Sequence, residues 1–393
     1  MNKIYDLLIV GSGPASLGIL KGLPNNISVA IITPSSHAQF SMDSQGDFAY
    51  RNGFGGGLDA WHGVSSYELF FEYFPNDHHA AFLFFNEMYH EDEKVFENLI
   101  QAGIYIPNQK INTNVLKARV EELNCDLIID TAVKITDNGI NISLESKSGL
   151  FLHAKKIILC AGAFGSMKLL CNSGLGNRKS SVSNHINGYF SLNSSVSNST
   201  NIVYKGNHGH VKKVSRGMVF DKKFMTYMRP ANFDFKNELK LIRHKSVYSR
   251  NTNQIYKNII KSTSPGLLIE ALYNRYGYWF GGTANGYFQI EAEGLYTFDD
   301  DHVNLNETRL KQILGKLKEN DLFSGVIDET IVSGIHYFNS VSPVQNVGCI
   351  TNPSDWNRKI LLADTSYMKT IGATHHTFSV MAINTFAMRK IYG

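Results

Sequence analysis

Residues 4–23 read IYDLLIVGSGPASLGILKGL and decide the fold. The apolar run Ile4–Val10 predicts a buried strand, residues 11–18 a glycine turn, and Leu17–Leu23 a short helix. A second apolar run, Ile27–Ile32, predicts another buried strand. Strand, turn, helix and strand within about thirty residues are typical of a right-handed parallel unit. We therefore expect an α/β fold with a central parallel sheet.

The glycine spacing in this turn is typical of a dinucleotide phosphate site. Gly11 permits the tight turn, and Gly13 lets a pyrophosphate approach N–H groups at a helix N-terminus, where the dipole favours negative charge. Ser16 is small enough for close packing of helix against strand. An ordinary strand-to-helix turn is the alternative interpretation, but the position directly after an apolar strand favours the phosphate site. We assign to this site Gly11, Gly13, Pro14, Ala15 and Ser16.

The end of the second strand lacks the acidic residue that accepts ribose hydroxyls in many dinucleotide sites. Residues 31–35 read IITPS, without Asp or Glu. We expect Thr33, Ser35 or Ser36 to take this role, with Thr33 assigned to the cofactor site.

Composition excludes several classes of protein. The chain has 393 residues, of which 43% are hydrophobic and 18% charged, which excludes a disordered chain. A net charge of +4 gives no electrostatic basis for binding nucleic acid. The length predicts two domains at roughly 100–200 residues each.

The cysteines and the apolar runs carry further expectations. The cysteines at 125, 160, 171 and 349 (Cys125, Cys160, Cys171 and Cys349) are too few and too widely spaced for a disulfide framework, so we expect reduced, mostly structural thiols. No Cys-x-x-Cys pair occurs, so neither a zinc site nor a dithiol redox motif is indicated, and we assign no metal-binding residue. No apolar run reaches the roughly 18 residues of a membrane span. Leu7–Val10 runs into glycines instead of a cleavage site, so we expect no signal peptide and a cytoplasmic protein.

A second small-residue segment resembles a family signature. Residues 156–176 read KIILCAGAFGSMKLLCNSGLG. This segment resembles the second signature of the glucose–methanol–choline oxidoreductases, in which a strand ends in a small-residue turn under FAD and continues as a helix ending in Ser-Gly-x-Gly. The resemblance implies that Ala161 and Gly162 contact FAD.

The C-terminal part of the chain carries the same resemblance independently. Residues 360–366, ILLADTS, are similar to the family's strand ending in Asp-x-Ser, which implies that Asp364 contacts the sugar-phosphate side of the flavin. Residues 377–382, TFSVMA, resemble the start of the family's last helix. The N-terminus of that helix would face the negative charge of the reduced flavin. We assign to the cofactor site His376, Thr377 and Phe378.

Two histidines fall at or near the family's catalytic positions. His375 stands eleven residues after the aspartate, and His336 opens a loosely matching stretch in which Asn339 and Ser340 replace Gly and Thr. Oxidation of an alcohol by hydride transfer requires removal of the hydroxyl proton, and histidine suits that role near neutral pH. We expect His336 and His375 to be the catalytic pair, with His376 as the alternative if the register shifts by one.

A further glycine loop resembles the family's loop that packs on the isoalloxazine. Residues 55–62 read GGGLDAWH. Some relatives carry a flavin-linked histidine before the tryptophan, but here that residue is Ala60, so we expect non-covalent FAD. We assign to the cofactor site Gly55, Gly56, Gly57, Trp61 and His62, together with Val133.

The resemblance covers both ends of the chain and fades between about residues 180 and 330. It implies a Rossmann-like FAD-binding domain with a central parallel sheet and a β-meander, and a smaller α+β substrate domain whose sheet is covered by helices. The predicted FAD domain comprises residues 1–75, 116–180 and 336–393, and the substrate domain comprises residues 76–115 and 181–335. We interpret the Ser- and Asn-rich segment 180–200 as a crossover between the two.

Several further elements are predicted from periodicity. The aromatic segment 67–85 is interpreted as a wedge of the core, with a substrate lid or a membrane-facing patch as alternatives. Residues 86–102 predict an amphipathic helix, and Glu307–Lys318 predicts another with Asn306 as its N-cap. The predicted strands are 127–129, 139–144 and 150–153, forming a meander that feeds 156–160, and 276–280 and 287–290 in the middle of the chain.

These features predict an FAD-dependent enzyme that oxidises a hydroxyl group of a polar metabolite, such as a sugar or cyclitol, by hydride transfer to the flavin. Other flavin chemistry is an alternative: ketone reduction, or oxidation of an amine or a carbon–carbon bond. A catalytically silent flavin-binding scaffold is another, whereas an NAD-only dehydrogenase would not explain residues 156–176 and 360–382. The expected partners are a small-molecule alcohol and an electron acceptor, without nucleic acid or a membrane span; the acceptor and the oligomeric state stay open.

Overall fold

The computed structural model of the chain describes residues 3–42, 49–59, 61, 65–102, 107, 111–177, 179–192, 201–204, 212–215, 224–228, 285–299, 302–318, 323–326, 332–333, 336–342, 346–372 and 376–393. Within these ranges the strands form a mixed eight-stranded sheet, an antiparallel six-stranded sheet and two short pairs. Helices pack against both larger sheets.

Strands and helices are numbered in chain order. The eight-stranded sheet contains β1 (Ile4–Val10), β2 (Val29–Thr33), β5 (Asp126–Ile129), β6 (Ala132–Asp137), β7 (Ile142–Ser146), β8 (Phe151–Leu159), β17 (Val347–Cys349) and β18 (Ile360–Leu362). The six-stranded sheet contains β9 (Lys179–Leu192), β12 (Phe224–Met228), β13 (Asn285–Asp299), β14 (His302–Leu305), β15 (Phe323–Val326) and β16 (Val332–Ser333). The short pairs are β3 (Gln39–Met42) with β4 (Ala49–Asn52), and β10 (Asn201–Tyr204) with β11 (Lys212–Ser215). The helices are α1 (Pro14–Gly22), α2 (Glu68–Tyr73), α3 (His78–Tyr89), α4 (Glu93–Ala102), α5 (Thr113–Glu122), α6 (Gly162–Asn172), α7 (Glu307–Lys318) and α8 (Thr377–Tyr392).

The central sheet is parallel along the order β17-β18-β8-β1-β2-β5. Leu8 on β1 lies opposite Ala30 on β2 and Ile157 on β8, and all three are fully buried. Such burial on both faces explains why these strands are continuous apolar runs. The predicted α/β class with a central parallel sheet is therefore confirmed.

The meander beside this sheet differs in one strand from the prediction. It consists of β6, β7 and the first half of β8, joined antiparallel. Residues 127–129 belong instead to β5, which pairs parallel with β2. The crossover helix α5 between β2 and β5 accounts for this, because a parallel pair needs such a connection.

Helix α1 packs closely against α8. It begins at Pro14, earlier than predicted, because proline fits the first helical position. The side-chain amide of Asn384 on α8 donates to Ala15 O at 3.0 Å and to Ala363 O at 2.9 Å. Where α8 crosses Gly18, the Cβ of any other residue would lie 2.5 Å from the backbone oxygen of Met381. The first helix and the last described helix are therefore joined by direct backbone contact.

The aromatic segment 67–85 lies in the core. Tyr67 and Phe84 are 2% exposed, and their ring centroids lie 5.3 and 5.0 Å from that of Phe378 on α8. The core interpretation agrees with this burial. The helix predicted over 86–102 is interrupted, because His90 adopts a left-handed conformation, φ 55°, between α3 and α4.

The described part of the segment 180–200 is a strand of the antiparallel sheet. Strand β9 runs through Lys179–Leu192 and pairs with β13 over most of its length, and the crossover between domains stays a prediction. Residues 182–187 are all buried, so the polar side chains among them lie inside the protein. Helix α7 has the predicted bounds, and Asn306 Oδ1 accepts from Arg309 N at 3.0 Å as the expected cap. The strand predicted at 276–280 lies outside the described residues.

Of the helices that the structure describes, none is both long enough and apolar enough to cross a bilayer.

The contact of α1 with α8 generates a prediction. Replacement of Gly18 by Ala improves helix propensity, yet the new methyl group would collide with the Met381 backbone, so we expect a loss of about 1–3 kcal/mol of unfolding free energy. Gly315 on α7 has no described atom within 4 Å of its Cβ position, so the matched variant Gly315→Ala should gain up to about 1 kcal/mol. Urea unfolding of both variants tests this. Equal effects of the two substitutions would contradict the close approach.

Candidate active site

The turn after β1 is built by close contact with the end of β8. Gly11 has φ +97°, and a Cβ there would lie 2.5 Å from Cys160 O. Ser16 Oγ donates to Gly11 O at 2.7 Å and closes the turn. Helix α1 then begins at Pro14, with Gly13 as an N-cap that offers no side-chain hydrogen bond and with no acidic residue in the first turn. Its N-terminal dipole is therefore not neutralised by a capping or first-turn carboxylate, and it suits an anion.

Glycines line the space in front of this turn. A Cβ added at Gly13, Gly57 or Gly162 would meet no described atom within 4 Å. The glycine loop lies directly on the turn, because a Cβ at Gly56 would lie 3.1 Å from Gly13 Cα. These three positions border the same turn, so the absence of side chains leaves a backbone-lined cradle. Such a cradle fits the pyrophosphate of a dinucleotide.

Ser12 connects the turn to two predicted cofactor residues. Its hydroxyl donates to Thr33 Oγ1 at 2.8 Å, and its carbonyl accepts from Gly55 N at 2.9 Å. Asp130 N donates to Thr33 O at 2.9 Å, and Val133 follows three residues later in β6. Thr33, Gly55 and Val133 therefore belong to segments that meet at the carboxyl edge of the parallel sheet, where ligands bind in open α/β sheets.

Asp364 holds two turns of this edge together. Its carboxylate accepts from Gly162 N at 2.9 Å, from Ser366 N at 3.0 Å and from the hydroxyl of Ser166. Asp364 is 4% exposed, and burial raises the pKa of its carboxyl group, an effect that these hydrogen bonds oppose. The residue for which the resemblance implies a flavin contact thus binds the protein's own turns, and through Gly162 it shapes the cradle.

Residues 336–341, the strap, connect the two sheets. Phe338 and Ser183 on β9 exchange backbone hydrogen bonds of 2.9 and 3.0 Å. Ser340 N donates to Ser366 O, after β18, at 2.7 Å. The strap therefore joins the antiparallel sheet to the carboxyl edge of the parallel sheet.

Three histidines converge at the start of the strap. The Nδ1 atoms of His185 and His336 lie 3.1 Å apart, and the ring centroids of His336 and His376 lie 4.7 Å apart. His185 Nε2 lies 2.8 Å from Gly372 O, and His336 N donates to Asn184 Oδ1 at 2.9 Å. His185 and His376 are buried and His336 is half-buried.

The hydrogen bonds assign tautomers when the rings are neutral. A carbonyl oxygen only accepts, so His185 Nε2 carries the hydrogen that bonds Gly372 O. His185 Nδ1 then accepts, and His336 Nδ1 donates to it. This arrangement makes Nε2 the basic nitrogen of His336.

A carboxylate on the next strand fixes the carbonyl that orients His185. Glu291 on β13 lies opposite His185 in the sheet register. Its Oε1 accepts from Ile371 N at 2.6 Å and from Thr370 Oγ1 at 2.7 Å. These contacts hold the segment that contains Gly372. The His185 ring is therefore oriented by Gly372 O at Nε2 and by His336 at Nδ1.

The structure brings together one member of the predicted catalytic pair and the alternative. His336 lies beside His376, whereas His375 lies outside the described residues, as does His62. His185 was not predicted: it stands in the Ser- and Asn-rich segment, and no local motif marks it. Only the pairing of β9 with the strap reveals it.

Helix α8 begins beside this cluster. It starts at Thr377 with His376 as N-cap, without a side-chain cap or an acidic residue in the first turn. Phe378 is fully buried and stacks on Trp61 with centroids 6.3 Å apart. The positive end of the helix dipole therefore lies next to the histidines, while Trp61 and Phe378 are part of the aromatic core.

Comparison with known proteins gives the fold. No family model matches the sequence, and no curated protein matches it. Among solved structures, pyridoxine 4-oxidase from Mesorbium loti matches with a TM-score of 0.54 at 11% identity, over 98% of this chain and 99% of that chain. An FAD-dependent oxidoreductase from Chaetomium thermophilum, in complex with a small-molecule fragment, matches with a TM-score of 0.50 at 12% identity, over 98% of both chains. The chain therefore has the fold of these oxidoreductases.

The role of Asp364 in joining the turns is testable by substitution. Asp364→Ala leaves buried donors without an acceptor, so we expect a loss of at least about 2 kcal/mol of unfolding free energy. Ser166→Ala removes only one donor to the same carboxylate and should cost about 1 kcal/mol. The exposed Asp137, paired with Lys359, serves as the control, since Asp137→Ala should cost less than about 1 kcal/mol. A cost for Asp364→Ala no larger than that for Ser166→Ala would contradict this role.

Proposed function

We propose that the chain is an FAD-dependent oxidoreductase, a divergent relative of the glucose–methanol–choline enzymes, that oxidises a hydroxyl group of a small polar molecule. The observation that carries this proposal is the placement of two features along α8. Asn384 contacts Ala15 at the phosphate turn, and Thr377 beside the histidines lies seven residues earlier, about 10 Å along the helix. This separation lies between the glycine cradle and the histidine cluster. It suits an extended dinucleotide whose phosphates lie in the cradle and whose flavin ring lies near the histidines.

The chain's own residues account for the binding of FAD. The N-terminus of α1 and the glycines at 13, 57 and 162 would hold the pyrophosphate, and the N-terminus of α8 would lie near the ring. Ala60 before Trp61 offers no attachment, so the cofactor would be non-covalent. When bound, FAD supplies the acceptor for the hydride that leaves the substrate carbon.

The histidines supply the proton chemistry. Nε2 of His336 accepts the hydroxyl proton as the hydride leaves. His185 receives the hydrogen bond from Nδ1 of His336 and keeps that ring in the basic tautomer. His376 holds the substrate oxygen and restricts its orientation. The positive end of the α8 dipole would stabilise the negative charge of the reduced flavin.

Flavin binding is tested at Gly13. The purified protein should show the visible absorption of oxidised flavin or acquire it on addition of FAD. Gly13→Ala places a methyl group in the cradle, so we expect FAD affinity to fall by at least about tenfold, or 1.4 kcal/mol, with no change in the unfolding of the flavin-free protein. Gly315→Ala, on α7, should leave the affinity unchanged. Protein that binds no FAD, or a Gly13 variant with unchanged affinity, would refute the site.

The base is tested by anaerobic reduction of the bound flavin with a panel of alcohols. His336→Ala should slow flavin bleaching by about 10²–10⁴, while FAD affinity stays unchanged. His153→Ala, on β8 and bonded to Ser143, serves as the matched control with the rate of the unmodified protein. Bleaching by amines alone, or reoxidation of reduced flavin by ketones without bleaching by alcohols, would point to the other flavin chemistries. No response to any compound would favour the scaffold.

A further inference from the structure

The three histidines also have the geometry of a metal-binding set. His185, His336 and His376 each offer one ring nitrogen, and these atoms all lie within 4.8 Å of one another. In a tetrahedral zinc site with Zn–N distances of about 2.0–2.1 Å, ligand nitrogens lie roughly 3.4 Å apart. The 3.1 Å between the Nδ1 atoms of His185 and His336 is close to this spacing. A small movement of the third ring would complete the set.

The surroundings of His185 match those of a metal ligand. Histidines that bind metals almost always donate the other ring N–H to a carbonyl or carboxylate. His185 does so through Nε2, at 2.8 Å from Gly372 O, while its Nδ1 faces His336. The buried carboxylate of Glu291, which fixes the segment containing Gly372, adds negative charge on the neighbouring strand.

The ligand type narrows the choice of ion. Imidazole nitrogens suit Zn²⁺, Cu²⁺, Ni²⁺ and iron, whereas Ca²⁺ and Mg²⁺ prefer oxygen ligands. A set of three histidines is typical of zinc sites that keep a further position for water or another oxygen ligand. Zn²⁺ is therefore the ion that this set fits best.

We propose that His185, His336 and His376 form a reversible Zn²⁺ site. The ion takes the place of the hydrogen that lies between the Nδ1 atoms of His185 and His336. The hydrogen of His336 moves from Nδ1 to Nε2. The ion and a substrate proton then compete for the same imidazole. Bound zinc would therefore inhibit the oxidation, and this consequence rests on the proposed function. The binding of the ion itself does not.

Zinc binding is measured by equilibrium dialysis of the purified protein against Zn²⁺, with metal analysis. We expect one ion per chain that EDTA removes, and an affinity that falls as the pH is lowered, because only neutral imidazole binds. His185→Ala and His376→Ala should each lower the affinity at least about tenfold, since each removes one of three ligands. His153→Ala is the matched control and should bind as the unmodified protein does. Thermal unfolding of each variant, and His185→Gln as a milder substitution, separate loss of a ligand from loss of the fold.

The visible spectrum of bound Co²⁺ provides a second readout on the flavin-free protein. A tetrahedral cobalt spectrum that disappears in His185→Gln supports the site. Zinc that remains bound in all histidine variants belongs to other histidines, and the absence of saturable binding would equally overturn the proposal. Zinc binding by protein that never takes up FAD would leave this inference standing while the proposed function fails. Flavin reduction by alcohols without zinc binding would support the proposed function and overturn the zinc site.

Discussion

The strap at residues 336–341 is the constraint on which the candidate site depends. Phe338 and Ser340 are almost fully buried, so their backbone N–H and carbonyl groups must find partners inside the protein. The N–H and carbonyl of Phe338 pair with Ser183 on one sheet, and Ser340 N donates to Ser366 O at the edge of the other. These bonds fix the relative position of the two sheets at one point, and His336 stands at that point. His185, two residues beyond Ser183, meets His336 for the same reason.

Elements encoded by local pattern could be predicted from the sequence. The strand Ile4–Val10, the glycine turn and helix α7 with its Asn306 cap follow from apolar periodicity and cap residues that lie within a few positions of one another. Strand β9 could not be predicted in this way. Serine and asparagine are typical of loops. In this strand, long-range pairing with β13 satisfies the backbone, and the buried side chains of Ser183 and Asn184 accept hydrogen bonds from Gly294 N and His336 N.

The residues of the candidate site also fall into two groups, those that local motifs predict and those that only tertiary structure brings together. Gly11, Gly13 and Asp364 follow from motifs, and His336 follows from a loose motif. His185 could not be predicted, because 151 residues separate it from His336 and the two rings meet only when β9 pairs with the strap. The metal-binding geometry was likewise not predicted: the expectation of no metal site came from cysteine spacing, whereas these histidines are brought together by tertiary structure. His375 stays a prediction.

The contact of α1 with α8 has a consequence for biosynthesis. Asn384 and Ala15 are separated by 369 residues, so a ribosome that adds about 5–20 residues per second needs roughly 20–70 seconds after completing the first helix before its partner emerges. During that interval the unit formed by β1, α1 and β2 lacks the helix that covers Gly18 and Gly22 on α1. The contact between α1 and α8 therefore forms only after the whole intervening chain has been made.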